Sequence, residues 1–305
     1  MTAAAPRARP ARTRGARRGE RWWAYAFVAP PIVGFLVFGL WPMAASLYLS
    51  LTRYDVLTPP RWVGLDNYAR LFTRDPFVAK TAWNTLAYLA GVPLGMATSL
   101  ALALALNQGL RGERPLRWLF FLPSICSLVA LSLVWGWVYH ADYGLLNDAL
   151  RSLGVARPPR WLEEPRWVKP ALVAMGIWAT AGQNMVLFLA ALQGVPRHLL
   201  EAAELDGASA WQRFRHVTFP AISPTTFFVA VTGVIGAMQN FDQVYVMTRG
   251  GPEYASATYM LYLYQSGFQY YRMGYASAMA WALAAATALF TWLQFRASRR
   301  WVRHG

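Results

Sequence analysis

Only 14% of the 305 residues are charged, where a soluble domain carries about a quarter. Lysine is almost missing. Lys80 and Lys169 are the only two, and neither follows a G-x-x-x-x-G run, so the chain has no P-loop to cradle ATP. The four histidines (His140, His198, His216 and His304) are scattered, with no H-E-x-x-H or paired-carboxylate spacing that would build a catalytic metal. No G-x-S-x-G elbow is present, and the sequence implies neither metal, cofactor nor catalytic residue. The single Cys126 excludes an internal disulfide. Charge inside the long apolar runs is also nearly absent, with Asp242 the nearest case, and this disfavours carriers driven by buried ionisable groups.

What is present is apolar. Hydrophobic residues make up 56% of the chain and form six runs long enough to cross a bilayer. They lie near 23–49, 82–106, 117–139, 170–192, 223–246 and 273–295. The expected fold is all-α: a polytopic membrane protein of six transmembrane helices spanning 22–296. A basic, disordered tail is expected at 1–21 and a short tail at 297–305. The first run is too long for a signal-peptide core and lacks a cleavage site, so it reads as a retained span.

Orientation follows from arginine. Arg7, Arg9, Arg12, Arg14, Arg17, Arg18 and Arg21 precede the first span. Arg111, Arg114, Arg117, Arg197, Arg213 and Arg215 sit in the second and fourth connections, and Arg296, Arg299, Arg300 and Arg303 follow the last span. These are 17 of the 29 basic residues, and the positive-inside rule puts both termini and the 193–222 loop in the cytoplasm. The net charge of +15 is therefore mostly a topology signal. With the arginines spread over separate segments and no stacking aromatics between them, no nucleic-acid partner is expected.

The loop EAAELDGASAWQRFRHVTFP at 201–220 carries two helix signatures back to back. Pro196 can open one helix and Gly207, in a left-handed conformation, can close it. Ser209 and Gln212 then form a capping box for a second helix running to Pro220. The spacing is E-A-A, three residues, G, nine residues, then an apolar-x-apolar-Pro close, read here as Val217-Thr218-Phe219-Pro220.

That pattern resembles the cytoplasmic loop of permease subunits of binding-protein-dependent ABC importers. The sugar-type members are the nearest resemblance, through WVGLDNYARLF at 62–72, NTLAY at 84–88, YGLLNDALRSLG at 143–154 and MTRGGPEYASAT at 247–258. The resemblance implies an inner-membrane subunit, surrounded by lipid, that pairs with a second homologous permease. It also implies two cytoplasmic ATP-binding subunits and an extracytoplasmic solute-binding protein. Glu201, Ala202, Ala203, Asp206, Gly207 and Pro220 would then form the ATPase-coupling segment.

The candidate pathway is a polar stripe. Thr232, Gly236, Gln239, Asn240 and Gln243 share one face if the fifth span is a continuous helix. The fourth span offers Thr180, Gln183 and Asn184, and Trp178 and Tyr245 could supply rings for the C–H faces of a sugar. The bland alternative is interhelical glue, at about 0.6 kcal/mol per hydrogen bond. No Arg or Lys falls within 170–192 or 223–246, so this chain leans to a neutral carbohydrate. Glycerol-3-phosphate or a glycerophosphodiester is the alternative solute, with its counter-charge on the partner. A membrane enzyme acting on lipid-linked sugars is the rival of another class. It would need an acid, base or metal motif at a membrane face, and the acids here are isolated or lie in the loop.

Overall fold

The computed structural model of the chain describes residues 14–109, 112–299 and 301–302. Most of the expected tail (1–13), and Arg111, Arg300 and Arg303 of the orientation argument, lie outside them. The first helix, α1 (Arg14–Phe35), starts inside the stretch expected to be a disordered tail. Arg14, Ala16, Arg17, Arg18 and Glu20 of its start are good helix formers that outweigh Gly15 and Gly19, and the apolar run behind supplies the nucleus they extend. A wide turn at Leu36–Leu40 leads into α2 (Trp41–Ser50). A short hairpin, β1 (Thr52–Arg53) and β2 (Arg61–Trp62), and α3 (Asp66–Thr73) then close over the end of this span.

The second span is α4 (Pro76–Leu89) continued by α5 (Gly91–Leu106). The third is α6 (Glu113–Ile125) and α7 (Leu128–Val138), followed by a surface helix, α8 (Leu145–Ser152). Helix α9 (Pro165–Gln193) is the fourth span. The polar loop holds α10 (Arg197–Leu205) and α11 (Ala210–Arg213), with a wide turn at Phe214–Thr218 running into α12 (Phe219–Ala221). Then come α13 (Ser223–Met238), α14 (Asp242–Met247), α15 (Tyr259–Tyr264) and the last span, α16 (Met273–Ser298).

Four spans are single crossings by length and apolarity: Tyr25–Ser50, Pro76–Leu106, Pro165–Gln193 and Met273–Ser298. Two helix pairs, α6 with α7 and Ala210–Ala221 with α13, are bent by 102° and 68°. Counting each pair as one crossing gives the six expected spans. The third span, expected over 117–139, bends within those bounds: it breaks at Cys126 and Ser127, whose backbones are extended. The fifth is not the continuous helix that the stripe requires, because α13 ends at Met238 and the chain unwinds before α14. Such breaks persist where side chains satisfy the freed backbone groups. Here the Thr258 hydroxyl donates to the Asn240 carbonyl at 2.7 Å.

Helix α9 is the axis. Val168, Leu172, Met175, Met185 and Phe188 along it are fully buried. At its lower end Met185, Phe188 and Leu192 pack with Ala103 and Leu106 of α5, Ile222 between α12 and α13, and Val229 of α13. Gly182 lets α6 ride directly on it, since a Cβ there would lie 2.0 Å from the Phe120 carbonyl oxygen. The first span stands apart from this core. Phe27 and Phe38 are 77% and 83% exposed, and the span packs mainly through α2 on α16, where the Trp281 indole donates to Ser46.

Three buried asparagines tie the end remote from the polar loop, and each lies in a sequence marker. The Asn67 amide donates to the Ser50 and Thr52 carbonyls, both at 2.8 Å. The Asn84 amide donates to Tyr254 and Ala257 at 2.8 and 2.9 Å. The Asn147 amide donates to Ala141 and Pro159 while its oxygen accepts from Trp161. Thus NTLAY at 84–88 and MTRGGPEYASAT at 247–258 are partners in space. Lys80 and Tyr88, on the Asn84 face, hold the Glu253 and Ser256 carbonyls of the same loop. Asn84→Ala strands two carbonyls and should lower stability by about 2 kcal/mol or more. A fall in the melting temperature of the detergent-solubilised protein, larger than that of an exposed control such as Thr98→Ala, checks this.

Candidate functional site

The polar loop folds as its sequence predicts. Pro196 stands at the N-cap of α10 with an extended backbone, so α10 itself begins one residue later than a proline at the first helical position would imply. At the other end Gly207 takes φ +77°. The amide of Ala208 reaches the Ala203 carbonyl at 2.9 Å and that of Gly207 reaches Glu204 at 3.0 Å. This is a Schellman closure, which needs a left-handed residue at the knee. The capping box forms in full: the Ser209 hydroxyl accepts from the Gln212 amide, and the Gln212 side chain accepts from the Ser209 amide at 2.7 Å.

An ion pair between Arg213 and Glu204, at 2.9 Å, crosses the knee. The second helix widens at Phe214–Thr218, a π-type turn of the kind often found at functional sites. Val195, Leu200 and Val217 join the loop's base to the α5–α9–α13 core. Pro220 lies half-buried in that base, and its carbonyl accepts from Ser223. Glu201, Ala202, Asp206 and Gly207 are exposed, and Ala203 is half-buried. Leu205 and Trp211 project alongside them, 89% and 66% exposed. The result is a stiff two-helix wedge with a small-residue, apolar and acidic tip.

Above the wedge, a cavity of about 450 Å³ lies between α5, α9 and α13. Thr180, Gln183, Asn184, Thr232, Gly236, Asn240 and Gln243 line it. The Thr180 and Thr232 hydroxyls donate back to the Gly176 and Phe228 carbonyls, leaving their lone pairs available. Gln243 is buried, and its amide donates to the Leu172 carbonyl. The amides of Gln183, Asn184 and Asn240 have no hydrogen-bond partner among the described residues.

Three sequence candidates lie elsewhere. Trp178 packs edge-on against Trp135, at 5.3 Å, on the α7 side of α9. Gln239 is exposed where α13 has unwound, and Tyr245 stacks on Phe241 at 5.2 Å. Tyr88 and Phe228 are the rings that line the cavity. The space itself is made by Gly91, Gly95, Gly176, Gly233 and Gly236, which show in the sequence only as scattered glycines. A Cβ at Gly91 would come within 2.9 Å of Val173.

A broken-helix bundle with a polar cavity above a rigid loop agrees with one family. Residues 91–303 match the profile of the binding-protein-dependent transport system inner membrane component. The chain belongs to that family. It is 40% identical over 291 residues to the probable ABC transporter permease protein YesP of Bacillus subtilis (strain 168), covering 94% of each chain. The lactose transport system permease protein LacF of Rhizobium radiobacter is 35% identical over 282 residues, covering 90% of this permease and 93% of that one. The crystal structure of a bacterial ABC transporter involved in the import of the acidic polysaccharide alginate contains a chain of the same fold. Its TM-score is 0.81 at 26% identity, over 93% of this permease and 98% of that chain. The permease is thus an inner-membrane component of a transport system that works with a binding protein.

Proposed function

We propose that the chain is one of two permease subunits in an ATP-driven importer, and that it moves a carbohydrate handed over by an extracytoplasmic binding protein. The observation that carries the solute class is the set of free amides in the cavity. Gln183, Asn184 and Asn240 offer donors and acceptors together, which suits the hydroxyls of a sugar, and Tyr88 and Phe228 offer ring faces to its C–H surfaces. Named relatives carry lactose, diacetylchitobiose and sn-glycerol-3-phosphate in their own systems.

In this reading the cytoplasmic wedge is the handle. Glu201, Ala202, Ala203, Asp206 and Gly207 seat in a cleft of the ATP-binding subunit, the alanines allowing close backbone approach. Pro220 marks the base through which rigid-body motion enters α13. The cavity then opens to one side and the other in alternation, a mode of switching by domain rotation. Because α10 to α12 meet the spans through one packed core, tilting the wedge moves α5, α9 and α13 together.

Asn240→Leu removes one free amide from the cavity while keeping its backbone bond from Thr258. Uptake per assembled complex in proteoliposomes should fall about tenfold, the weight of one lost hydrogen bond of about 1.4 kcal/mol. Disassembly of the complex with uptake per complex intact would mark Asn240 as helix glue instead.

A further inference from the structure

The two lysines lie beyond this cavity, at the end remote from the wedge, each on a helix that lines it further along. Helix α9 begins at Pro165, so Lys169 lies inside the fourth span rather than ahead of it. It is three and four residues before Leu172 and Val173, which line the cavity, and this face continues through Gly176 and Thr180. One helical turn, about 5 Å, therefore separates Lys169 from the uppermost lining residues. On the facing helix, Lys80 leads down through Asn84 to Tyr88, which also lines the cavity. The charges of the two lysines are close enough to interact.

Nothing in the described chain neutralises Lys169. It is half-buried and has no hydrogen-bond or ion-pair partner. The neighbouring acids are turned away: Glu163 pairs with Arg160, and Glu164 accepts from the Arg160 amide at 3.3 Å. The guanidinium of Arg166 lies over the Trp167 ring. Glu253, the one acid of the 248–258 loop, is exposed, and its carbonyl already takes Lys80 at 2.6 Å. Lys169 is the fifth residue of α9, just past a first turn that holds no acid. A half-buried ammonium with no partner among the described residues, near a second ammonium and one helical turn from the cavity lining, attracts anions.

We propose that Lys169 is a specificity residue and that the solute is a carbohydrate bearing an anionic group: a carboxylate, sulfonate or phosphate. The anion pairs with Lys169 as the solute enters, and the neutral ring passes on to the free amides below. This rests on the carbohydrate importer reading, names its substrate class, and replaces the neutral solute expected from a span starting at residue 170.

The test uses the complete transporter with its binding protein in proteoliposomes, with digalacturonate, glycerol-3-phosphate and lactose as probes. Wild type should take up at least one of the acidic probes. Lys169→Gln should slow that uptake about tenfold, Lys169→Glu should slow it further, and Lys169→Arg should retain it. Rising ionic strength should shrink the difference between wild type and Lys169→Gln. Co-purification of the ATP-binding subunits with each variant separates this from a folding defect. Uptake of lactose but neither acidic probe by wild type, or equal uptake by all three variants, overturns the proposal while leaving the carbohydrate reading in place. Uptake of no probe at all overturns both.

Discussion

Gly207→Pro is expected to reduce uptake and solute-stimulated ATP hydrolysis to background while the chain still inserts in the membrane. The knee at Gly207 has φ +77°, and proline fixes φ near −65°. Proline also deletes the amide that closes the turn on the Glu204 carbonyl. With the knee opened, Glu204 and Arg213 part, and α10 loses its fixed angle to α11. The membrane core is untouched, since a Cβ at Gly207 meets nothing within 4 Å. That separates the backbone effect from crowding. Gly207→Ala should show a graded version, because a left-handed alanine costs about 1–2 kcal/mol. Glu201→Lys, an exposed charge reversal on the wedge tip, should uncouple to a similar extent with the fold intact. Paired measurements of uptake, ATPase rate and membrane-inserted protein distinguish these outcomes.

Gly182→Leu is expected to eliminate the folded permease rather than its coupling. At this position α6 and α9 touch backbone to backbone, and even a methyl group would sit 2.0 Å from the Phe120 carbonyl oxygen and 2.7 Å from the Phe121 Cα. Neither obstacle is a flexible side-chain tip, so α6 must lift away from α9. Overpacking of this kind costs about 1–3 kcal/mol for modest insertions, and here it displaces a helix. Gly182→Ala should already lower the melting temperature in detergent and the yield of monodisperse complex, with Leu abolishing recovery. Normal yield of Gly182→Leu would show that α6 does not pack on α9 as described.

The six apolar runs and the loop helices were legible because both rest on local chemistry. The capping box at Ser209 and Gln212 and the knee at Gly207 need only their own neighbours. The bends were not legible. The break after Met238 is held by Thr258, a residue of a later loop, and the 102° turn after Ile125 lies beyond a contact with Gly182. The pathway was half legible for the same reason. Thr180, Gln183 and Asn184 share a face of an unbroken helix and line the cavity as periodicity requires. Trp178, two residues before Thr180, is turned by about 200° and so belongs to the opposite face. Gln239 follows from a helix that has already ended. Lys169 was left outside the fourth span because hydropathy starts that span at residue 170, whereas Pro165 starts the helix. The asparagine ties at Asn67, Asn84 and Asn147 explain why the marker motifs exist, yet no local signal names their partners.

The central claim is that the exposed loop tip is the contact through which an ATP-binding subunit drives the spans. Cys126 is the chain's single cysteine, so a Cys126→Ser background allows one thiol to be installed by Ala202→Cys, at an exposed position. A thiol-reactive benzophenone attached there and illuminated in the assembled complex should form its main adduct with the ATP-binding subunit. Adducts confined to lipid or to the chain itself would contradict the account.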